Sequence, residues 1–263
     1  MASPMIRFAA VPELFQAIDA TAGDALVVQN VSQEAYASIT KERSHQGRSF
    51  RIKRYYSELQ LLIVTIPTEA HELLHSQLYV YIHSAAIQMG LGPEWVSLGT
   101  KTCRAQGHPN GDGGEGDSSG GPRNRPVGSR WPTLVIEAGY SQSLVNLRAD
   151  MRWWFSASNH QVKIVLLVKY DSGAGHVVIE KWQEVSSTSR QGATTTRAAA
   201  SLTPTRNQAI TVNRGPNSTS HTVLRGPLRL EFELLFLRAP GQGEGDIVVS
   251  ANEIQDAIGP IWG

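Results

Sequence analysis

RWPTLVIEAGYSQSLVNLRADMRWWFSASNHQVKIVLLVKY, residues Arg130 to Tyr170, is the stretch on which the fold turns. Thr133–Ile136 is a short apolar, β-branched run of the kind a buried strand shows. Glu137 closes it and Gly139 breaks it. Ser141 or Ser143 can cap a helix running through Phe155. Leu144, Leu147, Met151, Trp154 and Phe155 recur at helical spacing and give that helix one apolar face. Ser156–Gln161 is a polar turn, and Val162–Val168 is a second buried strand. Strand, helix, strand predicts a βαβ unit whose strands share a covered sheet. Trp153 and Trp154 read as core and rim packing rather than as platforms for stacked bases.

The totals bound what can surround this unit. A chain of 263 residues makes one large domain or two small ones, at roughly 100–200 residues each. A hydrophobic content of 41% supports a substantial core, and a net charge of +1 excludes a polycation. No stretch approaches the ~18 consecutive apolar residues of a membrane helix. The opening MASPMIRFAAVPELFQAIDA mixes Pro, Glu and Asp into its apolar run, unlike a secretory signal. Cys103 is the single cysteine, so neither an intramolecular disulfide nor a cysteine-based zinc site can form. An intracellular protein, in cytoplasm or nucleus, without a membrane partner, is the expectation. The sequon at Asn217 reads as an accident of a Ser/Thr-rich loop.

Outward from the centre, the N-terminal side predicts a helix over Val11–Thr21, an apolar patch at Ala25–Val28 and a polar helix over Gln33–Lys41. Lys41–Arg54 carries six cations against Glu42 alone, a solvated segment or a phosphate-facing patch. Arg51–Ile66 predicts a hairpin turning at Ser57-Glu58. Pro67 opens a helix that Gly90 stops, with Leu74, Leu78, Ile82, Ala85 and Met89 on one side. Trp95–Arg104 reads as a strand. Eight glycines fall from Gly107 to Gly128, too many for a buried element throughout, and no Gly-Lys-Ser/Thr follows to make a P-loop. After the centre come a strand at His176–Trp182 and a mobile Ser/Thr/Arg/Asn-rich segment at 186–222, with a marginal strand at Ala209–Val212. From Val185 to Leu230 there are six arginines and no acid, a solvated loop or a draw for a polyanion. Leu228–Leu237 and Asp246–Ser250 read as strands and Ala251–Ile258 as a closing helix.

The string HELLH, His71 to His75, has the spacing that puts two imidazoles on one helix face with Glu72 between them. On a zinc hydrolase the imidazoles would hold the metal and Glu72 would act on the attacking water. The pattern occupies the first turns of a helix just after a strand, and surface or satisfied core histidines are the default reading.

The order of parts is a helix with His71 and Glu72, a strand, an acidic loop with Asp117, a strand with Glu137, a helix and a strand. In that order the chain resembles the PD-(D/E)XK, or restriction-endonuclease-like, superfamily. More closely it resembles a group of uncharacterised fungal proteins related to bacterial endonuclease-like proteins. IPTEAHELLHSQLYVYIHSAAIQMGL is similar to the first core helix, EGDSSGGP to the segment of the first acid, and WPTLVIEAGYSQSLVNLRADMRWWF to the strand and helix of the second. LEFELLFLRAPGQGEGDIVVSANEI is similar to the terminal part. The resemblance implies an α/β (α+β) fold with a central mixed sheet flanked by helices. The chain reads as a single domain, with residues 1–50 as an N-terminal helical extension packed on a nuclease-like core of 51–263 and flexible insertions at 107–130 and 186–222. The resemblance further implies a Mg²⁺-dependent nuclease in which Asp117 and Glu137 hold the ion and Glu72 is an accessory acid. Two departures bear on catalysis. The lysine two residues past the second acid is Gly139, leaving Arg148 and Lys163 as candidate replacements, and arginine cannot serve as a base. Gly116 stands where a proline precedes Asp117, whose rival is Asp112. The alternatives are a catalytically silent nucleic-acid- or protein-binding module on the same fold, and a zinc hydrolase on HELLH.

Overall fold

The computed structural model describes residues 4–99, 101–105, 111–125, 131–186, 202–217 and 220–263. In chain order the first elements are β1 (Met5–Arg7), α1 (Val11–Ala20), β2 (Ala25–Gln29), α2 (Gln33–His45), β3 (Arg51–Tyr56) and β4 (Leu61–Thr65). Then follow α3 (Glu69–Gln88), β5 (Trp95–Ser97), β6 (Cys103–Arg104), β7 (Gly113–Gly114), β8 (Ser118–Pro122), β9 (Leu134–Gly139), α4 (Leu144–Ala157) and β10 (Ile164–Asp171). The last are β11 (His176–Ser186), β12 (Leu202–Asn213), β13 (Thr222–Leu224), β14 (Leu228–Leu230), α5 (Phe232–Phe236), β15 (Ile247–Val249) and α6 (Ala251–Ile258). The fold is a mixed α+β one. Among the described residues no helix is long and apolar enough to cross a membrane.

β9 and β10 pair in parallel at the centre of a seven-stranded sheet, β13-β12-β11-β10-β9-β8-β5, as the βαβ reading requires. Both strands are buried on two faces. Leu134, Ile136 and Ala138 meet Leu74, Leu78 and Ile82 of α3 on one side. Val135 meets Leu147, Met151, Trp154 and Phe155 of α4 on the other. Period-2 alternation thus divides one apolar run between two helical layers. Local chemistry sets the helix ends. Thr68 Oγ accepts from the His71 backbone N–H and Ser143 Oγ from that of Asn146, satisfying donors in each first turn. Gly90, at φ +80°, follows α3 in the left-handed region that glycine adopts without strain.

The first 50 residues are not a helical extension. β1 and β2 join β3 and β4 in a second sheet, β1-β2-β4-β3-β7-β6, whose core of Leu14, Ile18, Val28, Ile39, Ile52 and Val64 draws on residues either side of position 50. The boundary expected there falls between α2 and a strand that its own sheet needs.

The other two insertions also change character. Positions 106–110 and 126–130 lie outside the described residues, but Gly113–Pro122 is buried throughout and contributes β7 to one sheet and β8 to the other. Its glycines answer to close approach. A Cβ on Gly114 would lie 2.8 Å from Lys53 O and collide with the Arg54 guanidinium, and one on Gly120 would lie 2.7 Å from the Trp95 indole. Of the expected mobile segment 186–222, positions 187–201 and 218–219 lie outside the described residues, while Leu202–Asn213 is a twelve-residue strand paired along β11 that includes the marginal strand expected at Ala209–Val212. Leu228–Leu237 is a strand for three residues only. Glu231 then starts α5, and Phe232, Leu235 and Phe236 turn into the α3 core.

Candidate functional site

The chain crosses from the first sheet to the second between β7 and β8, through Glu115, Gly116 and Asp117. Glu115 is wholly committed to structure there. Arg43 grips it at 2.9 and 2.7 Å, the Ile52 N–H donates at 3.0 Å, and Thr102 donates its hydroxyl. Asp112, the rival acid, is a cap that accepts from the N–H and hydroxyl of Ser57. Asp117 is 4% exposed and turns to α3. Its Oδ2 accepts from the Ala138 N–H at 2.8 Å and lies 3.4 Å from His71 Nε2, and its Oδ1 accepts from Arg51 at 3.3 Å. Burial pushes this carboxyl up, but the charges of His71 and Lys53 outweigh that and hold it well below the usual range. The same pairing acts on His71. Burial alone would lower its imidazole, yet the Asp117 carboxylate lifts it to about 9.

Helical spacing brings His71, Glu72 and His75 into one cluster, with one ligand atom from each lying within 4.8 Å of the others. Glu72 Oε1 is 3.4 Å from His71 Nδ1 and 3.4 Å from His75 Nε2. Such separations match the edge of a tetrahedron with bonds of about 2.1 Å. Each ring's other nitrogen is also held, His71 Nε2 by Asp117 and His75 Nδ1 by Ser118 Oγ at 2.8 Å. That outer support fixes ring orientation at metal-bound histidines. This cluster can hold a metal ion. Arg51 stands against it, with Nη1 3.3 Å from His75 Nε2 and Nη2 2.8 Å from Glu72 Oε2, so an ion must displace the guanidinium.

Glu137 lies elsewhere in kind. The strand continues through Gly139, so Glu137 sits inside β9, 0% exposed, and faces α4. Arg54 donates to Oε1 at 2.9 Å, the Trp154 indole N–H donates to the same oxygen, and the Lys53 ammonium is 3.1 Å from Oε2. Asp150 of α4 completes a buried quartet, 3.7 Å from Lys53 and 3.5 Å from Arg54. Burial would drive the Lys53 amine down, but Glu137, Asp117 and Asp150 raise it above its ordinary value. The Arg54 guanidinium also lies 4.2 Å from the Trp153 ring centroid.

Mg²⁺ wants carboxylate oxygens with room for water around it. Both oxygens of Glu137 and both of Asp117 already face cations or N–H donors, and the pair does not fit that ion. Two imidazoles and a carboxylate suit a transition metal such as zinc.

Neither candidate for the absent lysine reaches this region. Lys163 immediately precedes β10 and donates to His160 O at 2.8 Å, fixing a turn. Arg148 faces away from β9 and binds Glu180 of β11 at 3.0 and 2.5 Å. The cations that do arrive are Arg51, Lys53 and Arg54, at the end of the basic run Lys41–Arg54. Their arrival depends on a bulge. Ile52 pairs Val64 and Arg54 pairs Ile63, so Lys53 is the extra residue of β3 and four consecutive side chains, Ile52 to Tyr55, are buried.

No protein-family model matches the chain, and no curated protein matches it significantly.

Proposed function

We propose that the chain is a nuclease-like protein that binds nucleic acid without cutting it through Asp117 and Glu137. The setting of Glu137 carries this reading: a carboxylate with no exposure, whose two oxygens are engaged by cations from β3. The nuclease-like part rests on the order α3, β5, β8, β9, α4, β10, in which β8 is antiparallel to both neighbours and β9 is parallel to β10. Lys53 supports it too, because its ammonium is the cation that Gly139 leaves out. For nucleic acid, the support is a groove of about 490 Å³ between α4 and the β11–β12 ribbon. Arg148, Arg206 and Arg225 line it against the single carboxylate of Glu180. A strand whose phosphates meet such cations loses affinity steeply as salt rises.

The test is a binding and cleavage assay with fluorescent single- and double-stranded DNA and RNA, with Mg²⁺ or Mn²⁺ present. Salt-sensitive binding that weakens on Arg206→Ala and Arg225→Ala, with substrate left intact, is expected. Mg²⁺-dependent cleavage that disappears in Glu137→Gln would overturn the silent reading.

A second reading, a metal-dependent hydrolase on HELLH, is favoured by the cluster of His71, Glu72 and His75. A metal there would lower the pKa of a bound water and supply hydroxide near neutral pH. It requires one equivalent of zinc in the purified protein, lost on His75→Ala. Metal-free protein after reconstitution with zinc would exclude it.

A further inference from the structure

At the edge strand β5 a cavity of about 290 Å³ opens between Val96, Leu98, Lys101, Arg123, Arg125 and Trp131. Its volume is near the small end for ligand sites. Three lining side chains are cationic, and among the described residues no carboxylate lines it. Trp131, 5% exposed, forms a rigid wall, set edge to face on Trp154 with centroids 5.8 Å apart.

Arg125 sets this cavity apart. Its Nη2 donates to Gln161 O at 3.2 Å, but Nε and Nη1 are buried and have no hydrogen-bond partner among the described residues. A guanidinium keeps its charge and presents a planar fork of donors. Burying two of those donors unpaired is costly, and buried polar groups are nearly always paired. Burial pulls this guanidinium below its ordinary pKa. Elsewhere the buried Arg54 and the half-buried Arg43 are answered by carboxylates, Glu137 and Glu115, although Arg54 Nε also lacks a hydrogen-bond partner. Among the described residues no carboxylate pairs with Arg125, and its fork lies beside an aromatic wall.

We infer that this cavity is a binding site for a small phosphorylated ligand with a flat apolar body, such as a nucleoside monophosphate. The phosphate takes the Arg125 fork with help from Arg123 and Lys101, and the flat body lies against Trp131, Val96 and Leu98. Paired N–H···O bonds from a guanidinium are the strong, geometry-selective kind. The site is independent of HELLH and of the groove at Arg206.

The experiment titrates AMP, adenosine and inorganic phosphate into the full chain by calorimetry and follows Tm in parallel. AMP should bind most tightly, phosphate more weakly and adenosine weakest, with Tm rising as AMP is added. Arg125→Met should weaken AMP by roughly tenfold or more. It should also leave the ligand-free Tm unchanged or higher, because it removes a half-buried charge that no carboxylate among the described residues answers. Arg125→Lys should keep part of the affinity. No AMP binding up to about 5 mM would overturn the proposal, as would equal affinity in Arg125→Met. AMP no tighter than phosphate would refute the aromatic half. A fall in ligand-free Tm for Arg125→Met would make the guanidinium a structural strut and end the case.

Discussion

Replacing Glu137 with alanine tests the buried quartet directly. Lys53, Arg54, Glu137 and Asp150 are each 4% exposed or less, two cations against two carboxylates. Deleting Glu137 leaves a net positive charge in a space closed to water, since Asp150 can answer only one cation, at 3.5 to 3.7 Å. The Trp154 N–H loses its acceptor as well. Breaking a buried ion pair from one side costs about 3–5 kcal/mol, a large share of the roughly 5–15 kcal/mol by which domains are stable. For a chain of this size that corresponds to a fall in Tm on the order of 10 °C. Urea denaturation followed by far-UV circular dichroism reads it as a lower midpoint with unchanged slope. A double variant makes a sharper demand. Lys53→Met in the background of Glu137→Gln restores neutrality while the amide still accepts from Arg54 and Trp154. The pair should therefore be more stable than Glu137→Gln alone, with a coupling of about 1–3 kcal/mol. A cost for Glu137→Ala below about 1 kcal/mol, or strict additivity in the pair, would refute the account of Glu137 as a charge lock.

Other perturbations follow from single contacts. Burial pushes the Cys103 thiol from 9.0 up to about 11, so alkylation at pH 8 should run about 100-fold slower than for an unperturbed thiol of pKa 9.0 and recover in urea. Gly120→Ala should cost about 1–3 kcal/mol by thermal melting, because the new Cβ would stand 2.7 Å from Trp95 and 2.5 Å from the Tyr79 hydroxyl. Burial raises the Glu180 carboxyl, but hydrogen bonds from Arg148 and Arg206 outweigh it and hold the group below 4.5. Its contribution is therefore present above the unfolded pKa and lost as pH falls through the folded one. Tm measured from pH 6 to pH 3 should drop less steeply in Glu180→Gln than in the wild type.

The elements of this protein that are legible in its sequence are those where local periodicity and packing agree. α3, α4, β9 and β10 bury stripes or runs that cannot be satisfied except against one another, so order and spacing carry the answer. α6 is a comparable case, because Ser250 and Glu253 form a capping box at its start. The segments that mislead do so for a shared reason. A glycine-rich run looks like a loop when the reason for its glycines is a neighbour distant in sequence, as the Arg54 guanidinium is for Gly114. A run of Ser, Thr and Arg looks unable to order itself, yet β12 takes its register from β11, where Glu180 answers the charge of Arg206.

The site divides along the same line. Asp117, Glu137 and Glu72 can be named as acids from sequence, but partnership cannot, because it depends on which face of the sheet each side chain takes. Asp117, at the crossover, turns to the histidines of α3, while Glu137, inside β9, points to Trp154 and Asp150 of α4. What stands between them is Lys53, whose charge answers both. In an unbroken strand Lys53 and Arg54 would face opposite sides. The bulge between Ile52 and Arg54 lets both enter the interior, and no periodicity in RIKRYY announces it. One extra residue in β3 thus decides whether Glu137 meets solvent or a guanidinium. The chemistry of this centre is therefore controlled from the N-terminal sheet. Removing the bulge by deleting Lys53 should disturb Asp117 and Glu137 together, while a change confined to α4 should reach Glu137 alone.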